Sequence, residues 1–176
     1  VELLSCKKKI TQFNKIINVS GDKSLSIRWA LLASQAKGKS RAYNLLRSQD
    51  VISTLNCLKK LGIKIKLKKK YCEIEGLGLN KFNDKKKIFL DAGNSGTLGR
   101  LILGLLVHFN NKIKIVGDKS LSKRDFSRVV VPLQKFGATF KYSKNYKLPL
   151  EITGTENAKP IKYQENKGSA QCKSSV

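Results

Sequence analysis

The chain contains an internal repeat, and this repeat limits the folds that it can adopt. Residues 58–76 and 133–154 each begin with the end of an apolar-periodic helix that closes at a glycine, Gly62 in the first segment and Gly137 in the second. Glycine suits the left-handed position just after a helix. Each segment continues with alternating apolar residues, a lysine-rich turn and a second short strand. The repeat therefore predicts a unit of helix, strand, turn and strand.

Further helices and strands fit between the two copies. Periodicity and turn residues predict, in order, a strand over 13–19, a helix over 24–36 that stops at Gly38, a strand over 41–45, a helix over 51–61 capped by Ser48 or Asp50, a strand over 88–90, a helix over 97–108, a strand over 113–116 and a helix over 126–136 that contains Pro132. The pattern is β-α-β-β-α-β, repeated almost twice. It predicts one α/β domain, with Trp29 and Cys57 in the core.

Charge is the strongest compositional feature, with 36 Lys and Arg residues against 12 Asp and Glu residues and a net charge of +24. Such a charge attracts anions, including nucleic acids. The lysine triplets at 7–9, 68–70 and 85–87 flank turns and carry little aromatic interleaving, whereas a nucleic-acid groove is expected to add stacking side chains. We therefore expect no specific nucleic-acid partner. A non-catalytic basic protein that binds anions or nucleic acid stays as an alternative.

Other features exclude several classes of protein. No apolar run approaches the roughly 18 residues that cross a bilayer, and the first residues do not resemble a signal peptide. We therefore expect a cytoplasmic location and no membrane partner. The four cysteines form no CxxC pair and have no histidine at metal-ligand spacing, so neither disulfides nor a metal site is expected. His108 has no visible Ser or Cys partner and is not expected to be catalytic.

The motif SGDKSLSIR, at residues 20–28, lies at a predicted strand-to-helix junction. The first turn of a helix has unpaired N–H groups and the positive end of the helix dipole, which together attract anions. Lys23 adds a charge, Ser24 a hydroxyl and Arg28, one turn later, a guanidinium. The motif is consistent with a phosphate or carboxylate site, and also with a capped helix that carries surface cations.

Two further motifs occupy similar junctions. DAGNSGTLGR, at residues 91–100, packs small residues into a turn where Gly96 lets a ligand approach the backbone. It matches neither a dinucleotide-binding nor an ATP-binding motif, and a well-capped turn is the alternative. GDKSLSKR, at residues 117–124, repeats the first motif and ends in Arg124, which can clamp a carboxylate or phosphate with two hydrogen bonds. Arg128, one turn on, is expected at the surface.

The chain resembles the 5-enolpyruvylshikimate-3-phosphate (EPSP) synthases in five segments, which are, in order, GDKSLSIRWALLAS, RAYNLLRSQDVISTLNCLKKLGI, DAGNSGTLGRLILGLL, GDKSLSKRDFSRVVVPLQKFGA and GSAQCKSS. The resemblance extends from about residue 12 to the last residue. The UDP-N-acetylglucosamine enolpyruvyl transferases share the architecture, but their first motif differs. They are the second alternative.

The resemblance implies the enolpyruvyl transferase fold, an inside-out α/β barrel of repeated β-α-β-β-α-β units, here incomplete. In that fold, residues 1–20 would join the second, C-terminal domain, and residues 21–176 would form a truncated N-terminal domain. The resemblance also implies a monomeric full-length enzyme that needs no metal or organic cofactor. This chain alone is expected to be an inactive fragment.

The implied reaction transfers the enolpyruvyl group of phosphoenolpyruvate to the 5-hydroxyl of shikimate 3-phosphate and releases phosphate, a step of aromatic amino acid biosynthesis. The residues implied to bind shikimate 3-phosphate are Lys23, Ser24, Arg28, Ser169, Ala170 and Gln171. The residues implied to bind phosphoenolpyruvate are Lys23, Asn94, Gly96 and Arg124. Lys23 is implied to contact both substrates, and we expect it to be the catalytic proton donor. Ala170 stands where some members have Ser, so only its backbone can contribute.

Overall fold

The computed structural model describes residues 5, 12, 14, 16–82, 88–166 and 168–176. The helices of this part of the chain are α1 (Lys23–Gln35), α2 (Gln49–Lys60), α3 (Gly96–Leu106), α4 (Ser127–Phe136) and α5 (Ala170–Ser175), with one 3-10 turn at Leu121–Lys123. The strands are β1 (Lys37–Tyr43), β2 (Lys64–Leu67), β3 (Tyr71–Leu77), β4 (Ile88–Asp91), β5 (Lys112–Val116), β6 (Thr139–Tyr142) and β7 (Leu150–Thr153). None of these helices is long and apolar enough to cross a membrane.

The strands form two open sheets, one for each copy of the repeat. The first sheet has the order β1-β3-β2 and is antiparallel throughout. The second has the order β4-β5-β7-β6, in which β4 and β5 are parallel and the other pairs antiparallel. Buried side chains from the helices and from both sheets form one hydrophobic cluster. The predicted α/β class is confirmed.

Both copies of the repeated unit fold as the sequence predicts. α2 and α4 are each followed by a glycine in the left-handed conformation, Gly62 with φ of 92° and Gly137 with φ of 112°. L-residues with a side chain avoid this conformation, so the glycines let each helix stop sharply. Each helix then leads into a hairpin, β2–β3 after α2 and β6–β7 after α4.

Each hairpin ends in a glycine that presses against the end of an earlier helix. A Cβ on Gly76 would lie 2.2 Å from the carbonyl oxygen of Ala36, and one on Gly154 would lie 2.4 Å from that of Val107. Beside Gly154, the N–H of Thr155 donates to the carbonyl of Val107 at 2.7 Å. Because the last carbonyls of a helix have no partner within it, this close approach supplies them with one. Only glycine allows the approach.

The strand predicted over 13–19 is wrong in its described part. Residues 14 and 16–19 are not in a strand, whereas residues 13 and 15 lie outside the described residues. The side chains of Ile16 and Val19 are 96% and 72% exposed. No neighbouring strand pairs with this segment within the described chain. Apolar alternation predicts a strand only where a partner is available.

The boundaries at the start of the first sheet also differ from the prediction. α1 ends at Gln35, and Ala36 already has extended backbone. Gly38, predicted to stop the helix, instead lies inside β1 with φ of 97°. β1 pairs with β3 over its full length, from Lys37 opposite Leu77 onward. This pairing extends the strand to residues that local signals assign to the helix end.

Three single-residue predictions have different outcomes. Cys57 is buried in the core as predicted, and its Sγ donates to the carbonyl of Asp91 at 3.3 Å. Trp29 is only partly buried and packs against the edge of the core. Ser48 occupies the N-cap position of α2, but its side chain makes no capping hydrogen bond.

An ion pair between an exposed arginine and a nearly buried carboxylate lies on the first sheet. Arg41 Nε donates to Glu73 Oε2 at 2.6 Å, and the Glu73 side chain is only 7% exposed. The hydrogen bond from Arg41 lowers the pKa of Glu73 and outweighs the opposing effect of burial, with help from the charges of Lys39 and Lys66. A carboxyl with a depressed pKa stabilises the fold above its unfolded-state pKa and loses that contribution as the pH falls.

We expect Glu73→Gln to lower the free energy of unfolding at pH 7. The difference from wild type should shrink as the pH falls below about 4, where an unfolded Glu becomes protonated. Urea unfolding of both proteins at pH 7 and pH 3 measures this difference. Glu75→Gln on the same strand is the matched control, with a smaller effect expected because its side chain is more exposed. Equal losses at both pH values would contradict the assignment.

Candidate functional site

The motif GDKSLSIR forms the first turns of α1, as predicted. The carboxylate of Asp22 accepts a hydrogen bond from the N–H of Leu25 at 2.7 Å and so caps the helix. Lys23 Nζ lies 3.1 Å from Asp50 Oδ2, in the first turn of α2, and the Lys23 side chain is half exposed. The ion pair therefore holds the ammonium group between the starts of two helices.

Arg28 joins this helix to the GSAQ segment near residue 170. Its Nε and Nη2 atoms donate to Ser174 Oγ at 3.3 and 3.1 Å, and Nη2 also reaches the carbonyl of Ala170 at 3.5 Å. Its Nη1 atom donates to the carbonyl of Ser24 at 3.4 Å. These residues, together with Ser169 at the N-cap of α5, are the first cluster. The structure thus brings together residues that are up to 146 positions apart.

Arg100 occupies the corresponding place on α3. Its Nη1 atom donates to the carbonyl of Gly96 at 3.3 Å and to Gln171 Oε1 at 2.9 Å, and Nη2 donates to the carbonyl of Asp125 at 3.1 Å. The guanidinium also stacks over the ring of Phe126, 5.0 Å from its centroid. Burial lowers the pKa of Arg100, although an arginine stays charged at neutral pH.

Arg100 was not among the predicted site residues. It lies four residues after Gly96, as Arg28 lies four residues after Ser24, and both arginines donate to the carbonyl of that earlier residue. The i, i+4 rule that selected Arg28 would also have selected Arg100.

Arg124 and Asn94 form the second cluster with Gly96. Arg124 Nη2 donates to Asn94 Oδ1 at 3.0 Å, and Asn94 Nδ2 donates to Asp118 Oδ2 at 2.7 Å. A Cβ on Gly96 would lie 3.0 Å from Arg124 Nη1 and 2.9 Å from Arg100 Nη1. Gly96 therefore leaves room for two guanidinium groups beside the first turn of α3. Any side chain at this position must displace at least one of them.

The second GDKSLS copy begins like the first and then diverges. Asp118 caps Leu121 at 2.7 Å, as Asp22 caps Leu25, but the helix ends after one 3-10 turn at Lys123. Lys123 is exposed, whereas Ile27 at the matching position is fully buried. A lysine cannot replace that buried contact without losing its hydration. The chain extends at Arg124, which aims this residue toward Asn94 instead of along a helix.

Gln171 connects the two clusters. Its side-chain oxygen accepts from Arg100, and its Nε2 atom donates to Thr97 Oγ1 at 3.1 Å. Arg128 is exposed as predicted and, with Arg100, Ser169 and Gln171, lines a pocket of about 300 Å³. Gln171 thus links the first turn of α3 to the segment that contacts Arg28.

A family model described as EPSP synthase (3-phosphoshikimate 1-carboxyvinyltransferase) matches residues 7–176. The chain belongs to this family. The match decides between the two enolpyruvyl transferase families in favour of EPSP synthase. A protein of Streptococcus suis (strain 98HAH33) named 3-phosphoshikimate 1-carboxyvinyltransferase is 39% identical over 174 residues, which is 98% of this chain and 41% of the relative. A Streptococcus mutans relative of the same name is 41% identical over 91% of this chain and 38% of its own length.

Solved structures agree with this membership of the EPSP synthase family. An EPSP synthase of Acinetobacter baumannii has a TM-score of 0.84 and 33% identity, over 90% of this chain and 36% of that chain. A second structure of the enzyme from the same species has a TM-score of 0.85 at 33% identity. The chain therefore spans well under half the length of these relatives. The predicted enolpyruvyl transferase fold, incomplete in this chain, is confirmed.

Proposed function

We propose that this chain carries two anion-binding clusters of an enolpyruvyl transferase. The reaction transfers the enolpyruvyl group of phosphoenolpyruvate to the 5-hydroxyl of shikimate 3-phosphate and releases phosphate. The observation that carries the proposal is the link between the clusters: Gln171 contacts Arg100, which contacts Gly96, while the neighbouring Ala170 contacts Arg28. Both substrates are anionic, so each needs its own cationic cluster, and transfer requires the two to be adjacent.

We assign shikimate 3-phosphate to the first cluster. The side-chain acceptor that Arg28 now contacts is the neutral hydroxyl of Ser174, at 3.1 and 3.3 Å. A phosphate group is a stronger acceptor for a guanidinium fork, so it would replace this hydroxyl. The hydroxyls of Ser24 and Ser169 and the amide of Gln171 would complete the contacts to this substrate.

We assign phosphoenolpyruvate to the second cluster. Arg124 has a planar fork suited to a carboxylate or phosphate, and its bond to Asn94 fixes one end of that fork. The absence of a side chain at Gly96 leaves space for the guanidinium groups and lets a small ligand approach the backbone.

Lys23 is assigned as the proton donor between the two substrates. In the first step, the 5-hydroxyl oxygen bonds to C2 of phosphoenolpyruvate while C3 takes a proton from the Lys23 ammonium. In the second step, the bond from C2 to the phosphate oxygen breaks and C3 returns the proton. The ion pair with Asp50 holds the Lys23 ammonium in position. The hydroxyl gives up its own proton to a base as its oxygen bonds to C2.

The assignment of Arg28 is tested by calorimetric titration of this chain with shikimate 3-phosphate. We expect Arg28→Ala to raise the Kd by about 10- to 150-fold, because charge-assisted hydrogen bonds contribute roughly 1.5–3 kcal/mol each. Arg47→Ala removes a guanidinium from another surface and should leave the Kd unchanged. A Kd for Arg28→Ala within twofold of wild type would remove Arg28 from the site. Absence of any binding by the wild-type chain would contradict the proposed function.

A further inference from the structure

The β2–β3 hairpin and the end of β1 form a second basic surface. We name it the hairpin surface and define it by Arg41, Tyr43, Arg47, Lys69, Lys70 and Tyr71. A pocket of about 380 Å³ lies among Arg47, both lysines and Tyr71. No residue of this surface is among those assigned to either substrate. The grouping of basic and aromatic side chains on this surface therefore needs an explanation other than substrate binding.

The fold adds Tyr43 to Tyr71, the one aromatic residue that directly follows this lysine run in the sequence. Tyr43 ends β1 directly opposite Tyr71, which begins β3, so both side chains project from the same face of the sheet. Their ring centroids are 6.2 Å apart. The guanidinium of Arg41 lies 5.1 Å from the centroid of Tyr71 and covers that ring. Tyr43 is 69% exposed, so its ring is available to a ligand.

The positive charges of the surface lie around the pocket that Tyr71 also lines. Arg47 donates to the backbone carbonyl of Lys68 and, at 2.9 Å, to that of Lys69. These bonds tie the hairpin turn to the segment after β1, and the side chains of Lys69 and Lys70 remain exposed. Among the described residues, Glu73 forms its ion pair with Arg41, and no ion pair involves Arg47, Lys69 or Lys70. The surface therefore has uncompensated positive charge beside an exposed aromatic ring.

We propose that the hairpin surface binds single-stranded nucleic acid without reading its sequence. One base stacks on Tyr43, and the neighbouring phosphates contact Arg47, Lys69 and Lys70. Proteins that bind single strands in this way combine a basic surface with an aromatic platform, because every base has a face that can stack. A duplex keeps its bases stacked inside and cannot use the ring. A polyanion without bases can use only the charges.

The stacking contact is tested by fluorescence anisotropy of this chain with a fluorescein-labelled 12-nucleotide oligouridylate at low salt. We expect Tyr43→Ala to weaken binding by about 5- to 150-fold, the range for losing one stacked base. Tyr43→Phe keeps the ring and should bind within twofold of wild type. Circular dichroism checks that each variant is folded. If Tyr43→Ala binds within twofold of wild type, or if an equally charged inorganic polyphosphate competes as well as unlabelled oligouridylate, the proposal is overturned.

The charge contact has its own test. Removing both hairpin lysines, Lys69→Ala with Lys70→Ala, should reduce the slope of log K against log salt by about 1.4, because each neutralised phosphate of a single strand contributes roughly 0.7. Lys135→Ala with Lys159→Ala removes the same charge from exposed positions elsewhere and should leave the slope unchanged. If the two double variants lose the same slope and affinity, binding is a property of net charge alone and the hairpin surface is not the site.

Discussion

Gly154→Ala is expected to destabilise the fold by about 3 kcal/mol, the upper range for overpacking a well-filled interior. The added methyl group would lie 2.4, 2.5 and 2.6 Å from three backbone carbonyl oxygens at the end of α3. Backbone atoms cannot rotate away as side chains do, so either β7 or α3 must shift. A shift would also stretch the hydrogen bonds that cap the helix, including the one from Thr155 to Val107.

Urea unfolding followed by circular dichroism measures this loss. Gly38→Ala is the control, because a Cβ there meets nothing within 4 Å and the cost is only that of a positive φ, about 1 kcal/mol. Gly76→Ala tests the same close approach in the first hairpin, since a Cβ there would lie 2.2 Å from the carbonyl oxygen of Ala36. It should cost about as much as Gly154→Ala. If Gly154→Ala and Gly38→Ala cost the same, the close approach of strand and helix is not what requires the glycine.

Lys23→Met is expected to reduce kcat by about 10²- to 10⁴-fold in a protein of the relatives' full length that carries this region, the usual range for losing a general acid. Methionine keeps most of the side-chain volume and removes the proton and the charge. Asp50 would then lose its ionic partner, which lies 3.1 Å away. The KM values for both substrates should rise as well, because the assigned lysine contacts both.

The second copy of the motif provides a matched control for this experiment. Lys119 follows Asp118 as Lys23 follows Asp22, and it is exposed. Lys119→Met makes the same chemical change in the same local sequence and should leave kcat within about twofold of wild type, as usual for surface substitutions. Near-normal turnover of Lys23→Met would remove Lys23 from the role of proton donor.

The sequence predicted the repeated units well because their signals are local. A helix that ends at Gly62 or Gly137, followed by an alternating strand, is specified within a few residues, and both units fold accordingly. The strand over 13–19 and the start of β1 were predicted poorly. A strand forms only where another strand pairs with it: β1 pairs with β3, which is distant in sequence, and no strand of the described chain pairs with residues 16–19.

The candidate site likewise has parts that local sequence predicts and parts that depend on contacts between distant segments. The starts of α1 and α3 could be located from capping residues, whereas the contacts made by Gln171 depend on packing between segments more than 70 residues apart. Tyr43 and Tyr71 show the same effect: they are 28 positions apart in the chain, and only strand pairing makes them neighbours. The scarcity of aromatic residues between the lysines was therefore a poor guide to the surface that this run forms.

The docking of α5 determines when the contacts of Arg28 and Arg100 can form during translation. Arg28, Arg100 and Gly96 belong to segments that leave the ribosome well before residues 169–175. Until the later segment arrives, Arg28 lacks the acceptors at Ala170 and Ser174, and Arg100 lacks the one at Gln171. Water must solvate both guanidinium groups during that interval. The two proposed clusters are therefore joined only after residues 169–175 have been translated.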